Sequence, residues 1–264
     1  MRNLQLQLAR LDQSGRGRGE SWRPVPCTEL SPIRRFFDLQ AGSIWSDLAT
    51  ILSNVSGTIV DVGCGAQPYR SLMPQAVTYI GIDTLDAKSA FGYETPDTRY
   101  YDGHTWPLED ESADLVLATE TLEHVPDPRH FVREAFRVLR PRANLVLTVP
   151  FAARWHFIPH DYWRFTPSGF RCILDEAGFT DLKIYARGNA VTVASYKNLA
   201  LLAALLLPQT RSPLKGLVLR TVGLFTLPLF VMLAIIGNLS LRTAGGDDCI
   251  GYTVLAMKPP AGES

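Results

Sequence analysis

Two glycines and four carboxylates occupy positions where they could form one ligand site. Gly63 and Gly65 follow the apolar run TIVDV, where a turn would bring backbone N–H groups against a ligand. Each of the four carboxylates lies at or near the end of a short apolar segment: Asp61, Asp83, Asp102 and Glu120. Together they suit a cationic, hydroxyl-rich ligand better than a polyphosphate. A tight turn without a ligand, and acidic residues that are merely solvated, are the alternatives for each feature taken alone.

Two common phosphate-binding motifs do not fit this turn. Pro68 stands at the sixth position of the dinucleotide fingerprint GxGxxG, and no Gly-Lys-Ser/Thr of a P-loop is present. The sequence therefore favours a ligand that is recognised through its hydroxyl and cationic groups.

A second group of polar side chains lies in the segment PFAARWHFIPHDYWRFTP, which follows a later apolar run. We expect this segment at the carboxyl end of a central strand, where α/β proteins place their chemistry. His160 or Asp161 is predicted to orient or deprotonate an acceptor hydroxyl, and His156 is a further candidate because histidine titrates near neutrality. Tyr162 and Arg164 are predicted to position the acceptor. In the alternative, the aromatic residues pack in the core and Asp161 pairs with Arg164.

The histidines and cysteines predict no metal site. His156 and His160 are four residues apart, but Pro159 disfavours a helix between them and HExxH is absent. The cysteines form no CxxC pair, which argues against zinc and against a disulfide framework: Cys27, Cys64, Cys172 and Cys249. A reducing compartment fits this usage.

Strands and helices must alternate along the chain to hold these residues. Short runs rich in Val, Ile, Leu and Tyr predict strands buried on both faces of a parallel sheet: GTIVDVG, VTYIGID, TRYYDG, ADLVLATE and ANLVLTVP. Helices are predicted from residue 31 to 52, after Asp127, and after Thr166, and a further strand in TDLKIYARG. This order predicts a doubly wound α/β domain with its ligand at the carboxyl ends of the central strands.

Length and charge narrow the class of protein. The chain has 264 residues, 46% of them hydrophobic, and its formal net charge is zero. One domain with a substantial core is expected, and no overall field recruits nucleic acid. Residues 1–28 lack the apolar core of a signal peptide and are predicted to form a flexible arm; the alternative of a nucleic-acid-binding arm is disfavoured by its acidic residues.

Several of these motifs together resemble a known family. The segments IVDVGCG, YIGID and PLEDESADLVLATETLEHVPDPRHFVREAFRVLRP are similar to class I S-adenosylmethionine-dependent methyltransferases of the methyltransferase-11-like group. The resemblance covers about residues 57–188 and returns in GYTVLAMKP. It implies a Rossmann-like, seven-stranded, mostly parallel sheet, with a methyltransferase domain at residues 29–188 and 249–258. S-adenosyl-L-methionine is the implied cofactor.

The resemblance also implies roles for individual residues. The turn of Asp61, Gly63, Cys64 and Gly65 would hold the methionine part of the cofactor, and Asp83 its ribose hydroxyls. The remaining implied positions border the adenine or line the cleft: Asp102 and Gly103 at the adenine, and Glu120 and His124 at the cofactor end, where His124 is also predicted to contact the acceptor. The chain departs from the family where Gln67 replaces a third glycine and where Pro-Arg-Ala replaces Pro-Gly-Gly before the fifth strand.

An apolar insertion at residues 189–248 separates the last two predicted strands. It contains NLALLAALLLP and TVGLFTLPLFVMLAIIGNLSL, and the second is long enough to span a bilayer. One crossing would leave the final strand on the far side of the membrane from its sheet. We therefore predict a helical hairpin, kinked or interrupted at Pro228, that lies in the membrane interface or caps the cleft. A buried oligomer interface or an enlarged core is the alternative.

Charge in the same region favours the membrane interface. No acidic residue lies between Asp181 and Asp247, and an excess of positive charge suits an anionic lipid surface. The basic residues of this region are Lys183, Arg187, Lys197, Arg211, Lys215, Arg220 and Arg242.

These observations predict a cytoplasmic enzyme, peripheral on the membrane, that methylates a small amphiphilic, lipid-linked or glycan-like acceptor at oxygen. An anionic membrane surface is the expected partner, an oligomer is compatible with the pattern, and nucleic acid is not expected. One rival is a cofactor-binding scaffold without catalysis. Others are a soluble methyltransferase that dimerises through the insertion, and an oxidoreductase that uses a nicotinamide cofactor.

Overall fold

A computed structural model describes residues 30–86, 95, 97–157, 159–208, 210 and 212–262. The predicted flexible arm, residues 1–28, lies outside them. The described residues contain seven strands: β1 Thr58–Val62, β2 Thr78–Thr84, β3 Thr98–Tyr101, β4 Ala113–Thr119, β5 Leu139–Pro150, β6 Thr180–Arg187 and β7 Gly251–Met257. Their α-helices are α1 Pro32–Phe37, α2 Leu39–Leu52, α3 Pro128–Val138, α4 Pro167–Glu176, α5 Ala190–Leu206, α6 Pro213–Phe225 and α7 Leu227–Ser240.

The seven strands form one sheet in the order β3-β2-β1-β4-β5-β7-β6. The first five strands are parallel, and β7 is antiparallel to both β5 and β6. This confirms the predicted seven-stranded, mostly parallel fold. The order in which the chain adds strands to the sheet switches sides at β1, which lies between β2 and β4. In parallel sheets the carboxyl ends of the strands at such a switch point open onto one crevice.

The helix N-termini are fixed by the predicted capping side chains. Asp127 Oδ1 accepts the N–H of His130 at 3.0 Å, and Thr166 Oγ1 accepts the N–H of Gly169 at 3.2 Å. The prediction of one continuous helix from residue 31 to 52 is wrong. Asp38 interrupts it and caps α2, because its side chain accepts the N–H of Ala41 at 3.1 Å.

The insertion folds into α5, α6 and α7. The longer apolar segment breaks at Thr226, just before Pro228, and α6 and α7 meet at 56°. Stacking of Phe37 on Phe230 at 5.1 Å joins α7 to the N-terminal helices. Asn238 adds a side-chain hydrogen bond to the carbonyl of Phe36 at 2.8 Å. The insertion therefore packs onto α1 and α2.

In the described part of the chain, no single helix combines the length and the apolar character needed to cross a membrane. The bent pair α6 and α7 meets both requirements only when its two helices are counted together. The insertion also leaves and rejoins the sheet at one place, since Arg187 and Gly251 are paired across β6 and β7.

Candidate active site

The glycine turn after β1 has the conformation that its sequence predicts. Gly63 and Gly65 have φ angles of +68° and +51°, in the left-handed region that favours glycine. The N–H of Gly63 bonds to the carbonyl of Ile82 at 2.9 Å, which ties the turn to β2. A Cβ at Gly63 would lie 2.5 Å from the side chain of Thr121. Both the angle and the close approach require glycine there.

We expect Gly63→Ala to lower the free energy of unfolding by at least about 1 kcal/mol, because alanine is strained at this φ and its Cβ would overlap the side chain of Thr121. Urea unfolding measures the loss. Gly169→Ala is the matched control: Gly169 lies in the first turn of α4, and a Cβ there would meet Thr166 Oγ1 at an ordinary 3.6 Å. Equal unfolding midpoints for the two variants would contradict the close approach at Gly63.

The far side of the turn is held by the residue that replaces the third glycine. Gln67 is buried and has a φ of +57°, so it adopts the left-handed conformation without being glycine. Its amide donates to Thr98 Oγ1 at 3.2 Å and accepts a hydrogen bond from Arg70 at 2.9 Å. These hydrogen bonds offset the strain of a side chain at positive φ.

Two carboxylates flank the turn. Asp61 is buried, and its Oδ2 accepts the hydroxyl of Tyr79 at 2.7 Å. Asp83 Oδ2 accepts the N–H of Gly65 at 3.0 Å, and its Oδ1 accepts the N–H of Thr84 at 2.8 Å. Burial raises the pKa of both carboxyls, that of Asp61 to about 7. Each carboxylate keeps lone pairs for further donors.

The other predicted cofactor residues differ in their surroundings. Cys64 is buried with its Sγ 3.5 Å from Thr98 Oγ1. Asp102 and Gly103 are exposed after β3, where Asp102 Oδ1 accepts the N–H of His104 at 2.9 Å. Their place at the adenine stays a prediction.

Glu120 belongs to a polar network that the sequence did not indicate. Its Oε2 accepts the side-chain amide of Gln40 at 2.7 Å, and its Oε1 lies 3.1 Å from Nη2 of Arg187. The same nitrogen donates to the carbonyl of Val149 at 2.9 Å. Arg187 is 3% exposed, so the prediction that its charge faces an anionic lipid surface is wrong. It instead holds Glu120 at the end of β4.

Two residues of the 3₁₀ turn after β4 lie against the predicted acceptor side. Glu123 is fully buried, and neither of its carboxylate oxygens has a hydrogen-bond partner among the described residues. His124 places its Nδ1 2.6 Å from the carbonyl of His160. Burial lowers the pKa of His124 to about 4. The histidine is therefore neutral near pH 7. The sequence predicted His124 as a site residue but did not indicate Glu123.

The loop after β5 brings together the predicted catalytic residues. Arg164 binds Asp161 with two hydrogen bonds, of 2.6 and 2.8 Å, and Asp161 also accepts the N–H of His156 at 2.9 Å. Burial raises the pKa of Asp161, but these donors outweigh it and leave that pKa below its ordinary value. The pairing weighed as the alternative is therefore present, and Asp161 is a weak base. His160 and Tyr162 are exposed, with His160 Nδ1 3.3 Å from the Tyr162 hydroxyl.

The crevice suits a cationic, hydroxyl-rich ligand. Asp61 and Asp83 supply acceptor oxygens beside the glycine turn, and Gln40 Oε1 has no hydrogen-bond partner in the described ranges. The ammonium and ribose hydroxyls of S-adenosylmethionine are donors that these groups fit.

Comparison with known proteins agrees with this geometry. Residues 60–147 match the model of a methyltransferase domain family. The 27-O-demethylrifamycin SV methyltransferase of Amycolatopsis mediterranei is 35% identical over 100 residues, which are 34% of this chain and 37% of that protein. Residues 60–147 therefore form a domain of the class I S-adenosylmethionine-dependent methyltransferase type. The cofactor of this domain type is S-adenosyl-L-methionine.

Two further relatives describe the extent of the likeness. The ubiquinone biosynthesis O-methyltransferase of Paracidovorax citrulli is 33% identical over 126 residues, which are 43% of this chain and 50% of that protein. A solved S-adenosylmethionine-dependent methyltransferase of Thermotoga maritima is 13% identical with a TM-score of 0.51, over 85% of this chain and 91% of that one. At that identity it supports the fold alone. The match spans between about a third and a half of the curated relatives' length.

Proposed function

We propose that the protein methylates a hydroxyl of a small amphiphilic acceptor, lipid-linked or glycan-like, at a membrane surface. One observation carries the chemistry: the glycine turn follows the carboxyl end of β1, and the loop of His156 and His160 follows the carboxyl end of β5, which is parallel to it in the same sheet. When bound, S-adenosylmethionine supplies an electrophilic methyl group on a sulfonium. Asp61 and Asp83 would hold the cofactor, the acceptor oxygen would bond to its methyl carbon as the sulfur–carbon bond breaks to leave S-adenosylhomocysteine, and the hydroxyl proton would pass to a base.

His160 is the proposed base. Its ring is exposed in the loop after β5 and lies beside the Tyr162 hydroxyl, which would help to position the acceptor. Asp161 is better suited as a positioning residue, since it fixes both Arg164 and the backbone N–H of His156. Oxygen as the methylated atom is supported by two relatives named for O-methyl transfer to their own substrates.

The acceptor class and the membrane are inferred from the insertion. Large apolar side chains on the outer face of α6 are exposed, among them Leu214 at 72%, Leu217 at 63% and Phe225 at 83%. Lys215 and Arg220 are exposed on the same helix. An apolar face of this size beside positive charge is typical of contact with an anionic lipid interface. Because the insertion packs on α1 and α2, this interface would lie close to the crevice.

The methyl-transfer assay measures S-adenosylhomocysteine released by the full chain with hydrophobic and with water-soluble extracts as acceptor sources. We expect turnover with the hydrophobic extract and its loss on His160→Gln. Cofactor binding without turnover across both sources would support the scaffold alternative. Turnover with only water-soluble acceptors would contradict the amphiphilic assignment.

We also expect the protein to sediment with vesicles that contain anionic lipid, and less with vesicles of neutral lipid alone. The double variant Leu217→Glu/Phe225→Glu should lower the bound fraction at least about tenfold, because it removes two apolar side chains from the interface and adds negative charge. Tyr185→Glu is the control, since Tyr185 is 53% exposed on β6, outside the insertion. A stable dimer that does not sediment with either kind of vesicle would instead support the oligomer-interface alternative.

A further inference from the structure

Glu123 is a buried carboxylate that has no hydrogen-bonded partner among the described residues. Its side chain is fully buried, and neither oxygen accepts a hydrogen bond in the described part of the chain. The two neighbouring carboxylates are paired: Glu120 with Arg187, and Asp161 with Arg164. A carboxylate without such a partner is unfavourable in a protein interior, because it has lost its hydration. Such a group is expected to be protonated or to bind a cation.

Two imidazoles face this carboxylate. Nε2 of His124 lies 3.5 Å from Oε1 of Glu123. The rings of His124 and His156 are 4.9 Å apart between centroids. One potential ligand atom from each of these three residues lies within 4.8 Å of the others. Atoms bound to a tetrahedral ion at about 2.1 Å are about 3.4 Å apart, so closing the cluster needs movements of little more than about 1 Å.

The hydrogen bonds of both rings prepare them as ligands. Nδ1 of His124 donates to the carbonyl of His160 at 2.6 Å, which leaves the lone pair on Nε2. Nδ1 of His156 lies 3.0 Å from the carbonyl of Arg154 and 3.1 Å from Oδ2 of Asp161. Metal-binding histidines commonly donate their second N–H to a carbonyl or carboxylate in this way, which fixes the tautomer.

We propose that Glu123, His124 and His156 bind one divalent transition-metal ion such as Zn²⁺. Two imidazoles and one carboxylate suit such an ion and leave a coordination position for water or an acceptor oxygen. The sequence-based expectation of no metal considered His156 together with His160. The fold instead brings His156 close to Glu123 and His124. If the proposed function holds, an acceptor hydroxyl on this ion would lose its proton more readily, and His160 would accept it.

The test is calorimetric titration of the chelator-treated full chain with Zn²⁺ and with Co²⁺, in the absence of cofactor. We expect about one ion per chain and a visible Co²⁺ absorption band. Glu123→Gln and His156→Gln should each weaken binding at least about tenfold. His160→Gln is the matched control and should leave the affinity unchanged, because its ring is outside the cluster. Mg²⁺ should not bind at the same concentrations, since imidazole favours softer ions.

Binding of S-adenosylhomocysteine by the same samples separates this proposal from the proposed function. Variants that keep cofactor binding are folded, so their metal affinities can be compared directly. Folded wild type that binds cofactor but neither Zn²⁺ nor Co²⁺ would overturn the metal site, as would equal Zn²⁺ affinities in wild type and Glu123→Gln. Glu123 would then be held as a neutral acid, and methyl transfer would stand without an ion.

Discussion

Asp83→Asn is expected to weaken S-adenosylhomocysteine binding at least about 100-fold. The loss has two causes. Charge-assisted hydrogen bonds from ribose hydroxyls contribute about 1.5–3 kcal/mol each, and an amide offers one acceptor oxygen where the carboxylate offers two. In addition, the two oxygens of Asp83 accept the N–H groups of Gly65 and Thr84. An asparagine in either orientation therefore turns its NH₂ toward one of these N–H donors. Calorimetric titration measures the affinity.

Asp175→Asn is the matched control, because this substitution makes the same chemical change at an exposed position of α4. It should bind S-adenosylhomocysteine as wild type does. Thermal unfolding without ligand shows whether Asp83→Asn remains folded, so that a lost ligand is not confused with a lost fold. Unchanged affinity in a folded Asp83→Asn protein would show that this carboxylate does not hold the ribose.

Local signals in the sequence were enough to predict the sheet and the cofactor turn. The strands are short and apolar, and Gly63, Gly65 and Asp83 lie within a segment of about 20 residues whose geometry depends on neighbouring strands. The break at Asp38 was missed because a helix-capping aspartate inside an apolar periodicity looks like one exposed helical residue. Gln67 was uncertain because only the fold supplies Thr98, whose hydroxyl holds it at positive φ.

Contacts between distant elements could not be predicted in the same way. Gln40 and Glu120 are 80 positions apart, and Arg187 and Glu120 are 67 apart, so their pairing depends on how α2 and β6 pack over the sheet. Glu123 lies in a polar stretch typical of a solvated turn. It is buried because the later loop folds over it, with the N–H of Tyr162 bonded to the Glu123 carbonyl at 2.8 Å.

A second large effect is expected for Asp61→Asn, which should stabilise the protein at neutral pH. Burial raises the pKa of Asp61 from 3.8 to about 7; the Tyr79 hydroxyl opposes the rise and the charge of Asp83 adds to it. Below about pH 4 the carboxyl is protonated in both folded and unfolded chains. Between about pH 4 and 7 only the unfolded chain ionises, so wild type loses stability as pH rises. Above pH 7 that loss is complete, at up to about 4 kcal/mol.

Asparagine has no proton to lose, and its oxygen can still accept the hydroxyl of Tyr79. Urea unfolding at pH 5, 6, 7 and 8 should therefore show an advantage for Asp61→Asn that grows to about pH 7 and then levels off, while Asp175→Asn follows wild type. A difference that does not vary with pH would contradict the raised pKa. The same variant should bind S-adenosylhomocysteine more weakly, because a neutral amide cannot pair with the ligand's ammonium. A gain in stability together with a loss of affinity would show that the buried charge at Asp61 is retained for the cofactor, at a cost to the fold.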